Sequence, residues 1–234
     1  MKAQDIEQKL RGMANEDKAA VLRGFFKTGP GQYGEGDIFL GITVPQLRTF
    51  AKTCHDTPIP DCLALLKSRV HEQRLLALLL LIGAYSEGDG RLQKRIFRLY
   101  LDHTRYVNNW DLVDLSAPNI VGNYLSDKPR RILYDLAESE SLWERRISII
   151  ATLYYIKQSE FSDTLRIARS LIHDEHDLIQ KAVGWMLREV GKRDLEAEER
   201  FLKRHYANMP RTALRYAIER FPEPKRLKYL KGLV

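Results

Sequence analysis

A weak internal recurrence, carried on helical periodicity, constrains this chain more than any other feature. Gln73-Arg74-Leu75-Leu76, Trp110-Asp111-Leu112-Val113, Arg145-Arg146-Ile147-Ser148, Gln180-Lys181-Ala182-Val183 and Arg211-Thr212-Ala213-Leu214 superpose, with starts spaced by 37, 35, 35 and 31 residues. A period of that size is the mark of helical solenoids, in which each repeat is a supersecondary unit that buries its apolar face only against its neighbours. Strand signals are scarce. Leu, Ala, Glu, Lys and Arg fill segment after segment, with apolar residues at helical period. The expected fold is therefore all-α, a HEAT-like helical-repeat superhelix (an α-solenoid) with a concave cleft, running as one domain over residues 1–234. Breaks between helices are expected at 28–41, 56–60, 87–90, around Pro118 and Pro129, and at 139–141, 173–176, 191–194 and 208–210, where Gly, Pro, Ser, Asn and Asp gather.

The columns of the recurrence assign faces. Taking Arg74, Asp111, Arg146, Lys181 and Thr212 as position zero, positions one, two and five later are almost wholly apolar or small and cluster on one side of a helix. That side is expected to be core. The column one residue earlier, the zero column and those three and four later point the other way, toward an inner surface; the last two are mixed, since Ile149 and Ile150 are apolar, as are Ala77 and Leu78 in the first copy, where no ligand is expected. These columns carry Trp110, Arg145 and Arg211, then Arg146 and Lys181, then Asp114, Arg215, Trp185 and Tyr216. Trp110 and Asp114 stand one helical turn apart, a carboxylate beside an aromatic plate, an arrangement core packing does not require. Trp143 falls just outside these columns and is expected to serve stability.

Composition sets limits. With 234 residues, 44% of them hydrophobic, the chain can bury a real core. A formal net charge of +7 favours a polyanionic partner such as nucleic acid. Cys54 and Cys62 form no CxxC, so reduced thiols are expected and a cysteine-built zinc cluster is excluded. The first ten residues carry Asp5 and Glu7 without an apolar stretch, and the longest apolar run, Leu75 to Ile82, is too short to span a bilayer. A cytoplasmic protein is expected, nucleoid-associated when bound to DNA, monomeric and without membrane contact.

Two other motifs have simpler readings. Gly29-Pro30-Gly31-Gln32-Tyr33-Gly34 satisfies GxGxxG but follows a helical stretch rather than a strand, so the dinucleotide-binding context fails. A loop near a bound polyanion is the better functional option for it. His173-Asp174-Glu175-His176 offers metal-ligand residue types at an inter-helix turn, with no further ligand in view, and reads as a solvated loop. No metal site is expected.

Taken together, Phe39 to Arg48, Asn109 to Asp114, Leu142 to Ile147 and Gln180 to Glu189 resemble the AlkD family of DNA alkylation repair glycosylases, in order and over nearly the whole chain. The resemblance implies a HEAT-like superhelix that cradles duplex DNA containing alkylated bases. It further implies hydrolysis of the N-glycosidic bond of cationic N3- or N7-alkylated purines without base flipping. By the same likeness Asp114 matches the catalytic carboxylate, Trp110 and Trp185 the two cleft tryptophans, and Arg146 the cleft arginine. Arg145 takes the place of Arg146 if the alignment slips by one. Lys181, Arg188, Arg211 and Arg215 are expected to add phosphate contacts.

The chemistry agrees. An alkylated purine is already a cationic leaving group, so no cofactor, metal or general acid is needed. One carboxylate beside C1′ can offset charge developing on the sugar and orient water, while indole faces add cation–π attraction. Two further readings stand beside this one: a non-catalytic nucleic-acid-binding HEAT protein and a protein-binding scaffold. Asp114 between two tryptophans separates the first reading from both.

Overall fold

The computed structural model describes residues 1–234. It is all-helical, consistent with an α-solenoid, and its one strand-like pairing is an isolated bridge between Ile38 and Val70. Contacts group the chain into two compact units, Met1–Ser116 and Ala117–Val234.

The first unit holds α1 (Ala3–Gly12), α2 (Glu16–Phe25), α3 (Val44–Thr53), α4 (Ile59–Leu66), α5 (His71–Glu87), α6 (Gly90–Asp102) and α7 (Trp110–Ala117), whose last residue opens the second unit. The breaks have local causes. Asn15 caps α2 by accepting from Lys18 N (2.9 Å), and Asp89 caps α6 by accepting from Arg91 N (3.1 Å) and Leu92 N (2.9 Å). Gln46 Oε1 accepts from Thr43 N at the start of α3 (2.9 Å). Gly41, at φ +80°, lies where a side chain cannot: an added Cβ would come 2.0 Å from Asn15 O. Breaks at 67–70, 103–109, 157–161 and 221–222 were not among those expected.

The second unit begins with a π turn at Pro118–Gly122 and continues through α8 (Arg131–Ala137), α9 (Leu142–Ala151), α10 (Leu153–Ile156), α11 (Ser162–Ser170), α12 (Asp177–Gly191), α13 (Leu195–His205), α14 (Arg211–Ala217) and α15 (Glu223–Lys231). α12 is its spine, packing on α9, α13 and α14. At Gly184 the backbones of α12 and α14 come so close that a Cβ would meet Ala213 O at 2.3 Å.

The core columns hold. Every residue one and two places after position zero is buried, as is the column five later except Leu79. The opposite columns hold only in part. In the first copy Gln73, Arg74, Ala77 and Leu78 are buried, because α5 is enclosed by α3, α4 and α6. In the third copy Arg146, Ile149 and Ile150 are buried as well. An outward register on a helix does not expose a residue when another helix covers that face.

Candidate active site

Trp110 opens α7, and its place follows from the residues around it. Asn109, fully buried, accepts from Trp110 N through its side chain (2.9 Å) and from Val113 N through its carbonyl (3.1 Å). Half-buried, the indole stacks on Phe26 at 5.2 Å with planes 17° apart and meets the edge of Phe25 at 5.8 Å. Each such pair contributes about 0.5–1.5 kcal/mol beyond burial. The plate is thus held rigidly by α2. One turn on, Asp114 is also half-buried. Burial, with the Asp114 charge adding to it, keeps the Tyr100 phenol protonated, and its hydroxyl bonds Ser116 Oγ at 2.9 Å.

Behind α7 lies a buried cluster that the sequence did not disclose. His71 is 2% exposed; its Nε2 lies 2.8 Å from Asp111 Oδ2 and its Nδ1 3.1 Å from Asp37 Oδ2, the oxygen that Arg74 Nη2 also reaches at 2.7 Å. Only the imidazolium can donate to both carboxylates at once. Burial works against that charge, but Asp111 and then Asp37 outweigh it and raise the His71 pKa. For Asp37, burial is likewise overcome by His71 and Arg74, and its carboxyl titrates below the ordinary range. The ring is stacked on Phe39 (4.6 Å) and lies 4.9 Å from Phe26, so one aromatic and ionic assembly joins α2, α5, the 37–39 segment and the first turn of α7. Asp111 Oδ1 accepts from Leu112 N (2.9 Å), which completes the anchor. Next in sequence, Glu72 accepts from the backbone N–H groups of Leu40, Gly41 and Ile42 at 2.8–3.2 Å and fixes the loop before α3. A cavity of about 370 Å³, lined by Leu22, Phe26, Phe39, Ile42 and Leu75, abuts His71, Glu72 and Asp111.

In the second unit, Trp185 is half-buried on α12, and its indole Nε1 donates to Glu189 Oε1 one turn on (3.1 Å). Burial opposes the Glu189 charge, yet Lys192 and Trp185 hold its carboxyl below the usual range. The expected DNA-contacting cations are mostly engaged within the chain. Arg146, expected on an open face, is 5% exposed and donates to Leu178 O at 2.5 Å, tying α9 to the start of α12. Arg145 bonds Asp174 (2.6 Å) and the carbonyls of Ser139 and Glu140 (both 2.9 Å). Lys181 pairs with Asp177 at 2.7 Å, Arg188 with Glu219, and Arg211 donates to Leu230 O at 3.0 Å. Arg215 is exposed on α14. Trp143 is only half-buried.

The two incidental motifs have structural work. Within the glycine loop, Gly29 N and Gly31 N donate to the Gln32 and Glu35 side chains (3.0 and 2.8 Å), and Gly34 N donates to Lys27 O (3.1 Å). His176 Nδ1 accepts from Leu178 N (3.2 Å) and caps α12, while Asp174 holds Arg145. No group of three His, Cys, Asp or Glu side chains is arranged to hold a metal ion. No helix is long and apolar enough to cross a membrane.

The chain is of the all-helical class, consistent with an α-solenoid, and carries a Trp–Asp pair on α7 and, in the second unit, a tethered Trp on α12. The family model for "DNA alkylation repair enzyme" matches residues 6–221, and the chain belongs to that family. Its fold is similar to a solved structure described as a predicted DNA alkylation repair enzyme from Enterococcus faecalis. That likeness has a TM-score of 0.68 and 18% identity, and covers 90% of this chain and 97% of the other. No curated protein matches the chain.

Proposed function

We propose that this protein is a monofunctional DNA glycosylase that hydrolyses the N-glycosidic bond of cationic N3- and N7-alkylated purines in duplex DNA, without flipping the base. The observation that carries the reading is Asp114, half-buried one turn from an indole that Phe26 and Phe25 hold in place. A carboxylate so placed stabilises the oxocarbenium charge that develops at C1′ and orients the attacking water. Because the leaving group is already cationic, the acceleration asked of the protein is mainly this electrostatic term. Trp110 packs on the sugar and adds cation–π attraction as charge appears, and the family resemblance gives Trp185 the same role. Membership of a DNA alkylation repair family supports the substrate class. Among the cations, Arg215 is open to a phosphate as it stands. Lys181, Arg188 and Arg145 must exchange an internal carboxylate for one, and Arg146 acts through the α9–α12 junction it holds.

Replacing Asp114 with Asn preserves shape and removes charge. Single-turnover excision from methylated duplex is expected to fall about tenfold or more, with affinity for the same duplex within about twofold, since an interaction made in the transition state sets rate rather than binding. Unchanged excision by the variant would overturn the assignment.

A further inference from the structure

A further cluster of unassigned charge lies on other helices of the second unit. Arg166 and Arg169 on α11 and Arg200 and Arg204 on α13 line one open cleft of about 240 Å³, together with His205 and an apolar floor that includes Phe201. All four arginines are exposed, and no carboxylate is among the lining residues. Arg169 and Arg204 have no ion-pair partner. Arg200 pairs with Glu196 at 2.7 Å, and Arg166 sits over the Tyr134 ring at 5.5 Å.

Local rules account for part of this. The last turn of each helix carries a cation, which complements the helix dipole. That effect fades within one turn and does not explain why two pairs, at i,i+3 and i,i+4, converge on one trough. The crowding is felt electrostatically: burial first, then the charges of Arg169 and Arg204, push the His205 pKa below its ordinary value. Most of the chain's positive excess also falls in this second unit.

We propose that the cleft between α11 and α13 binds phosphodiester groups of a nucleic-acid backbone, a contact separate from those assigned to α9, α12 and α14. Four guanidinium forks can each grip phosphate oxygens. The rest of the lining is apolar apart from His205, so the site neutralises phosphates and offers little to read a base or a head group. At about 240 Å³ the cleft is also smaller than the roughly 300–1,000 Å³ of small-molecule pockets, which argues against a metabolite.

The test is fluorescence anisotropy of the full-length protein with an undamaged labelled duplex across a salt series, so the outcome does not depend on Asp114 chemistry. In Arg169→Gln/Arg204→Gln, affinity at about 0.1 M salt is expected to drop around tenfold, and the slope of log affinity against log salt to become shallower by about 2. Arg169→Lys/Arg204→Lys should restore most of the slope. Both variants are checked for a native thermal melt, and Arg166→Gln/Arg200→Gln serves as a second pair. An unchanged slope in both Gln variants overturns the proposal. A second result would do so as well: inorganic phosphate raising the melting midpoint of the wild type but not of the Gln variant, with DNA binding unaltered, would make the cleft a free-phosphate site.

Discussion

Asp111 and Asp114 lie on successive turns of one short helix, yet their environments give them different work. Asp111 is bound to His71 and to the backbone of Leu112, which leaves it little freedom to approach a substrate, while Asp114 is half-buried one turn from Trp110. The His71 anchor has a pH signature. Its folded pKa is raised above the ordinary value near 6.5, so its stabilisation is fully present below about pH 6.5 and is lost as pH rises through the folded value. Asp37 works in the opposite direction: its depressed carboxyl stabilises above about pH 4 and ceases to as pH falls through its folded value. Thermal melts of wild type and His71→Gln, compared from pH 6 to 9, should therefore converge by several degrees toward high pH. A gap that is constant or widens with pH rules out a charged His71, and taking the difference removes the contributions of His176 and His205, whose pKa values are lowered by burial first. The Trp110–Asp114 pair was legible in the sequence because a helical turn is a local relation. Asp37, His71 and Asp111 were not, because 34 and 40 residues separate the partners and no periodicity links a loop aspartate to a helix-start histidine.

At the scale of elements, the recurrence placed the core faces of α5, α7, α9, α12 and α14 correctly because burial at positions one, two and five follows from helix geometry alone. It did not foresee the burial of Gln73, Arg74 and Arg146, since which helix covers which is set by tertiary packing, whereas Ala77, Leu78, Ile149 and Ile150 already mark their columns as mixed. The same limit hid the role of Gly184. In a helix interior glycine costs about 0.5–1 kcal/mol relative to alanine, so its presence needs a reason. The reason is α14, whose Ala213 carbonyl and Tyr216 Cβ would lie 2.3 and 2.5 Å from an added Cβ. Gly83 in α5 is the contrast, with nothing within 4 Å of the same position. Gly184→Ala should cost about 1–3 kcal/mol by overpacking, whereas Gly83→Ala should gain about 0.5–1 kcal/mol. In a chain of this size each kcal/mol shifts the melting midpoint by roughly 2–4 °C, so opposite shifts are measurable. Equal midpoints for the two variants would mean that α12 and α14 do not approach as closely as described.

For the whole molecule, 38 Lys and Arg residues overstate the cations open to DNA, because Arg74, Arg145, Arg146 and Arg188 spend their charge or their donors inside the protein. On the proposed reading, the cations that remain open hold phosphates, which fixes register but does no chemistry, and Asp114 acts on a charge that exists only in the transition state. These two contributions respond differently to salt. Phosphate contacts release counterions, so the protein concentration for half-maximal rate should rise steeply between about 50 and 200 mM salt, with a log–log slope near 0.9 per phosphate engaged. The maximal single-turnover rate at saturating protein should change by less than about twofold over the same range, because a half-buried carboxylate facing a bound sugar is screened far less than an open arginine. Excision time courses on methylated duplex, taken at several protein concentrations for each salt concentration, separate the two parameters. A maximal rate that falls in step with affinity would show that the open cations contribute to the transition state itself, and the division of labour between Asp114 and the arginines would have to be abandoned.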